Sequence, residues 1–318
     1  MSKSKQDYIS RVTSDPKIPV FYQPWWLDTL AGKNGWDAAV SYENEQITGI
    51  WPYTITRRLG QKVSLALPLT PFLGPHFYYP KNQHKIVTRY GFLEKSLNEL
   101  VLQIQKENFK FFSQYTAPDF YGGVILRWHN FSQEAMSRFV IHTLNDLNLT
   151  WQNFKSNTRN KIKKFNKTGR IIESYQPEVL YELINASFNR SQKNPAYSKL
   201  TFLKLTEQLK EKEDVKIYFA VNNHKIKVAG ILIVISQGRA YLINTGMAEK
   251  QNGAVNALIW HGIQMAGKSA SNFDFCGSVV PDIYQFFLGF GGQLEPYHHL
   301  RAFSGQGIQL LYNLSGRR

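Results

Sequence analysis

Residues Ala39 to Ile50 read AVSYENEQITGI, and residues Ala220 to Ile231 read AVNNHKIKVAGI. Both open with Ala-Val, both close with Gly-Ile after the same spacing, and both set a β-branched residue two places before that glycine. In each, a polar turn separates two apolar flanks, which is the pattern of a β-hairpin. The first copy predicts a strand ending near Ala39–Ser41 and a second through Ile47 to Tyr53; in the later copy the second strand runs from Ile226 to Ser236. A chain that writes one hairpin twice is expected to fold as two similar units. Chance could produce a match this short, but the order of elements around each copy favours duplication.

After the later hairpin, GRAYLINTG reads as a third strand, and NGAVNALIWHGIQMAG recurs in apolar residues at helical spacing through Ala254, Leu258, Ile259 and Met265. A short strand NFDFCG, a helix opened by Pro281 and closed by Gly289, and a late strand around Leu300–Phe303 follow. The earlier hairpin leads into an aromatic, proline-rich stretch, and Pro52 predicts a sheet edge there. A long amphipathic helix follows over HKIVTRYGFLEKSLNELVLQIQKEN, then strand candidates FKFFSQY, GVILRWH and RFVIHTL. This is an α/β layering, with mixed, mostly antiparallel sheets flanked by helices. The expected domains are 1–148 and 149–318, the last strand packing back on the first.

The 318 residues, 43% of them hydrophobic, suffice for two cores. The N-terminal residues lack the apolar segment of a secretory signal and no apolar run is long enough to span a bilayer, so a cytoplasmic protein is expected. One cysteine, Cys276, excludes an internal disulfide and a cysteine-cluster metal site. No metal is expected; His298 and His299 read as loop or strand residues, and His261 as core or surface. A net charge of +15 favours an anionic partner: a phosphate-bearing substrate, a nucleic acid or a membrane surface.

The charge concentrates in LNLTWQNFKSNTRNKIKKFNKTGR. Trp151, Phe154, Thr158, Ile162 and Phe165 fall on one stripe of a single expected helix, capped by Thr150 and stopped by Gly169. Seven cations and no acid occupy the rest. Like charges on neighbouring turns repel, so an anion-binding role stands beside that of a solvated face. Lys155, Arg159, Lys163 and Lys164 are the candidates, Arg159 offering a fork for a phosphate or carboxylate.

The segments VFYQPWWLDTL, Trp151-x-x-Phe154 with Arg159 and its basic run, FDFCGS, and QFFLGFGGQLEPY resemble, in that order over nearly the whole chain, the FemA/FemX-like (BioF2-like) branch of the GNAT acyltransferase superfamily. The resemblance implies two tandem GNAT-like domains and transfer of an acyl or aminoacyl group, from acyl-CoA or a charged tRNA, to an amine such as that of a glycan or cell-wall precursor. No tightly bound cofactor is implied; acyl-CoA would be a co-substrate. Splayed strands can grip a donor, and the helix beginning near Asn252-Gly253 offers N–H groups for phosphate. Lys250, Asn252, Gly253 and Asn256 are the donor-binding candidates. Val255 stands where a small residue would let a pyrophosphate approach, and Phe287 stands where aminoacyl-transferring members carry a lysine.

Three residues are catalytic candidates. Asp274, on an apolar strand, is either structurally paired or a base; Tyr284 is a proton donor or a packed aromatic; Asn244 contacts a carbonyl or stabilises a sheet edge. The other reading of the whole chain is a non-catalytic binder of RNA or an anionic glycan on the same fold.

Overall fold

Both sequence hairpins form. A computed structural model describes residues 1–80, 85–249 and 253–305. In it β1 (Trp36–Glu43) pairs antiparallel with β2 (Gln46–Thr54). The tight reversal at Asn44 and Glu45 has φ of 49° and 64°, the left-handed pair that a two-residue turn demands. The later hairpin, β9 (Asp214–Val221) with β10 (Lys227–Ser236), turns through a wider loop in which Asn222 Oδ1 accepts the amides of His224 and Ile226. The wider loop changes the register: Ala39 faces Trp51, whereas its sequence counterpart Ala220 faces Ala229. The two stretches match as sequences and as hairpins, but not residue for residue in pairing.

The chain falls into two units, one of 1–136 with the stretch from Pro296 onward, the other Ser137–Glu295. The sequence had suggested a boundary at 148/149. In the first unit, α1 (Lys3–Thr13) and α2 (Pro24–Ala31) precede the β1–β2 hairpin, to which β5 (His76–Phe77) adds an edge over Gly49–Ile50. Pro52 lies past that short edge and faces only β1 in the sheet, as a residue without an N–H requires. A second sheet runs β3 (Thr56–Arg58), β4 (Gln61–Ser64), β6 (Phe111–Tyr115) and β13 (Gln293–Phe303). The long helix α3 (Ile86–Lys106) buries Leu93, Leu97, Leu100, Val101 and Ile104 against Trp51 and Phe112, with Trp51 donating its indole N–H to Gln114. Each such fully buried side chain contributes about 1.5–3 kcal/mol.

GVILRWH is helical, not a strand: α4 (Gly123–Trp128) buries Ile125 and Leu126 and exposes Val124 and Trp128. A short apolar run does not distinguish a strand from a half-buried helix by periodicity. β7 (Ser132–Ile141) follows.

In the second unit the sheet order is β7, β12 (Asn272–Asp274), β11 (Arg239–Met247), β10, β9 and β8 (Arg170–Glu173). α7 (Pro177–Arg190) and α8 (Lys199–Lys212) precede its hairpin, and α9 (Ala254–Ala266) and α10 (Pro281–Leu288) alternate with its last strands. In both units two helices precede a hairpin, and a helix, a strand, a helix and a strand close the series, but three strands, β3 to β5, stand between hairpin and helix in the first unit where β11 stands alone in the second.

The basic segment forms two helices, not one. α5 (Leu147–Asn153) is capped by Asp146, whose carboxylate accepts the Leu149 amide, and Thr150 lies inside it. Phe154 is extended at ψ 142°, and α6 (Ser156–Asn166) starts afresh. Of the predicted stripe, Phe154, Thr158, Ile162 and Phe165 are buried and Trp151 is half-buried. No helix among the described residues is long and apolar enough to cross a membrane.

Candidate active site

Strand β11 carries the irregularity around which the site is built. It pairs with β10 in step from Arg239 to Leu242, then Leu232 takes Asn244 as partner and Ile243 is left bulged, which increases local twist. On its other edge β11 runs parallel to β12 only over Arg239–Tyr241. β12 ends at Asp274, so from Leu242 to Met247 no strand among the described residues covers that edge. An extended ligand can add itself to such an edge through main-chain hydrogen bonds.

The uncovered stretch of β11 leads to the start of α9. Gly253 takes φ +93° and caps the helix, its carbonyl accepting the Ala257 amide at 2.9 Å. A Cβ on Gly253 would stand 2.2 Å from the Lys161 carbonyl oxygen, so glycine is obligatory and α6 presses directly on the beginning of α9. Asn256, in the first turn, is 6% exposed and makes no hydrogen bond to a described residue. Lys250 and Asn252 lie outside the described residues. Val255 packs toward the apolar core, and so does Phe287.

Along α6, Lys155, Lys163 and Lys164 are exposed, with no carboxylate in ion-pair range among the described residues. Arg159 is differently placed. Its Nη1 donates to the Phe154 and Gln152 carbonyls at 2.7 and 2.8 Å, capping the end of α5, while Nη2 and Nε bond no described residue. The late glycine segment belongs to the same junction: a Cβ on Gly291 would meet the Asn153 carbonyl at 2.3 Å, one on Gly289 the Thr158 hydroxyl at 2.5 Å. The Lys155 amide donates to Gly289, and Phe154 packs edge-on against Phe290. The Trp-x-x-Phe and Phe-x-x-x-Phe-Gly-Gly segments are therefore two sides of one contact.

No family model matches the sequence, and no curated protein matches it. Solved structures do. FemX superposes with a TM-score of 0.65 at 13% identity, over 99% of this chain and 98% of that one. The fold is FemX-like. The C-terminal domain of a protein named lysylphosphatidylglycerol synthetase, from Agrobacterium fabrum, gives 0.61 at 10% identity, over 98% of this chain and 97% of that one. A tandem GNAT protein from the clavulanic acid biosynthesis pathway gives 0.51 at 8%, over 88% and 94%.

Within this FemX-like framework Asp274 is fully buried, and its carboxylate is occupied. It accepts Arg138 Nη1 at 2.8 Å, Arg239 Nη1 at 3.2 Å and the Cys276 amide at 2.8 Å. Arg239 also reaches Glu295, which meets His142 Nε2 at 3.0 Å. Of the two roles open to Asp274, this geometry favours the structural pair. Burial pushes the Cys276 thiol up, so it is no thiolate nucleophile. Arg138, 1% exposed, was not singled out in the sequence, although a charge inside RFVIHTL needs a buried partner by the same reasoning that flagged Asp274.

Asn244, beside the bulge, donates through Nδ2 to the Tyr197 hydroxyl and accepts the Thr245 amide at 2.8 Å. Tyr197 comes from the α7–α8 loop, which sequence reading passed over. Tyr284 is half-buried on α10, its ring 4.9 Å from Phe139. No hydrogen bond joins any two of Asp274, Tyr284 and Asn244 among those found. His261 packs edge-on to Tyr218 at 4.8 Å, and burial lowers its basicity.

Arg190 holds the C-terminal end of β11. Its Nη1 donates to the Met247 and Ala248 carbonyls, both at 2.5 Å, while Ser187 Oγ accepts the Met247 amide at 2.8 Å. This clasp fixes the last residues of β11 before the turn into α9. Arg190→Ala is expected to speed hydrogen exchange at the Met247 and Ala248 amides by about tenfold, through the loss of its bonds to the two carbonyls. Exchange at Leu232 and Ile233 should not change. Equal acceleration throughout β10 would show instead a global loss of stability.

Proposed function

We propose that the chain is an N-acyltransferase, moving an acyl or aminoacyl group from a phosphate-bearing donor, acyl-CoA or charged tRNA, to an amine acceptor of the glycan or cell-wall-precursor class. The observation that carries this reading is the edge of β11 left uncovered past Tyr241 and leading to the start of α9, whose first-turn N–H groups lie beside a cationic helix. The donor's extended arm would add to that edge, and its phosphates would meet the N–H groups of α9. Lys155, Lys163, Lys164 and the outer face of Arg159 would draw and hold further phosphate.

In the reaction the amine nitrogen attacks the donor carbonyl, the C–N bond forms, and the C–S or C–O bond breaks. The amine loses a proton and the leaving group takes one. Tyr284 is the proposed donor of that proton and Asn244 the proposed contact to the carbonyl oxygen, while Asp274 positions β12 through Arg138 and Arg239. Positioning and carbonyl polarisation supply the rate, without a covalent intermediate.

The test is thermal stabilisation by acetyl-CoA, a long-chain acyl-CoA and bulk tRNA, followed by transfer of a labelled acyl group to amine acceptors. Stabilisation that rises with donor concentration, accompanied by transfer, supports the proposal. A response to tRNA without transfer makes the chain a binder, and silence from every donor removes the proposal. For a tRNA donor, replacing Lys155, Lys163 and Lys164 together by alanine is expected to flatten the slope of log K against log salt by about 2. An unchanged slope would place the phosphate contacts elsewhere.

A further inference from the structure

Helix α3 is longer than the core it packs on. Its apolar residues recur at alternating spacings of four and three through Ile86, Tyr90, Leu93, Leu97, Leu100 and Ile104, which is one face of a helix. From Leu93 onward that stripe is buried, Leu93 being 4% exposed and Leu97 and Leu100 fully covered. Ahead of Leu93 the same stripe lies open. Ile86 is 71% exposed and Tyr90 59%, with Val87 beside them at 76%. Every residue from Ile86 to Gly91 is exposed, an overhang of about 9 Å, and a Cβ on Gly91 would meet nothing within 4 Å.

The overhang is also cationic. Lys85 precedes it and Arg89 lies within it, and from Gln46 to Leu93 the chain contains no Asp or Glu. Glu94, the first acid, stands where the core begins. Arg89 lies over the Tyr79 ring at 4.6 Å, which keeps its charge close to the helix start. The helix dipole is positive at this end, so two cations placed there are unfavourable without an anion near them. Neither the first turn nor the cap supplies one: the turn holds no acidic side chain, and Lys85 makes no capping bond.

We propose that this end of α3 docks on an anionic phospholipid surface. Ile86, Val87 and Tyr90 enter the boundary between headgroups and acyl chains, while Lys85, Arg89 and the N–H groups of the first turn meet lipid phosphates. The length of the overhang matches the depth of such insertion, about 5–10 Å. A second copy of the chain is a poor occupant, because it would set Lys85 and Arg89 against their own kind in a molecule of net charge +15. An anionic surface answers the apolar stripe and the charge together. The overhang belongs to the first unit and the donor candidates to the second, so this proposal and the transferase reading can fail separately.

Cosedimentation of the full chain with vesicles of equal parts phosphatidylglycerol and phosphatidylcholine, and with vesicles of phosphatidylcholine alone, tests it. The expected result is binding to the mixed vesicles about tenfold tighter than to the neutral ones. Ile86→Ser, Val87→Ser and Tyr90→Ser together should weaken that binding by about tenfold, and so should Lys85→Glu with Arg89→Glu. Leu200→Ser, which removes a side chain 63% exposed on α8, should bind like the parent. All these positions are exposed, so every variant should melt with the parent. No binding to either vesicle, equal binding to the neutral one, or overhang variants that bind like the parent would each overturn the proposal. A dimer that forms without lipid and is dissolved by the serine substitutions would also overturn it, since the face would then belong to a second copy.

Discussion

Gly253→Val is expected to abolish stabilisation by acyl-CoA and to lower the melting temperature of the chain. Two costs combine at this position. The residue sits at φ +93°, where an L side chain costs about 1–2 kcal/mol and a β-branched one more. Its Cβ would also lie 2.2 Å from the Lys161 carbonyl oxygen, a backbone atom that no rotamer change can move aside. Driving α6 off α9 is an overpacking cost of about 1–3 kcal/mol. Together these should lower the melting temperature by on the order of 5–10 °C. Gly238→Ala is the control. It too has a positive φ, +68°, but its Cβ would meet nothing nearer than the Ser271 hydroxyl at 4.0 Å. That variant should carry the backbone strain alone and bind donor like the parent. Calorimetry with and without acetyl-CoA separates the two. A Gly253→Val chain that is stabilised by donor as well as the parent would mean that no phosphate approaches the start of α9.

How far the fold can be read from sequence depends on how local the signal is. Both hairpins were legible because alternation and turn chemistry act within a dozen residues. The register was not, since it depends on the loop closed by Asn222, whose side-chain bonds no periodicity encodes. The stripe Phe154, Thr158, Ile162, Phe165 was legible as a buried face. The break at Phe154 was not, because Arg159 holds it by capping α5 from five residues downstream. α4 was misread for want of length: six residues carry too few turns for the helical period to show. At the site, the strand positions of Asn244 and Asp274 and the helix start at Gly253 could be read locally. Their partners Tyr197, Arg138 and Arg239 could not, since each comes from a distant segment. Arg190 escaped notice for the same reason: its partners are backbone carbonyls on β11, which no residue type advertises.

The distant partner of Asp274 makes the strongest prediction about stability. Asp274→Ala removes the carboxylate from two guanidiniums, one of which, Arg138, is 1% exposed. Breaking a buried ion pair from one side costs about 3–5 kcal/mol, because the remaining charge stays in a medium of low polarity. The melting temperature should fall by on the order of 10 °C. The converse experiment identifies the cause. Arg138→Met together with Asp274→Leu removes both charges and keeps the volume, and should recover most of the loss, leaving Arg239 with Glu295 at 3.2 Å. Asp274→Asn discriminates the two roles that its position on an apolar strand left open. If the carboxylate is structural, that variant melts early, yet below its transition it transfers acyl groups with the same dependence on pH as the parent. If the carboxylate is the base, the variant melts near the parent and transfers nothing. A fully buried carboxylate whose two oxygens already accept two guanidinium N–H bonds and a backbone amide has no face open to an incoming amine, so the first pattern is the one expected.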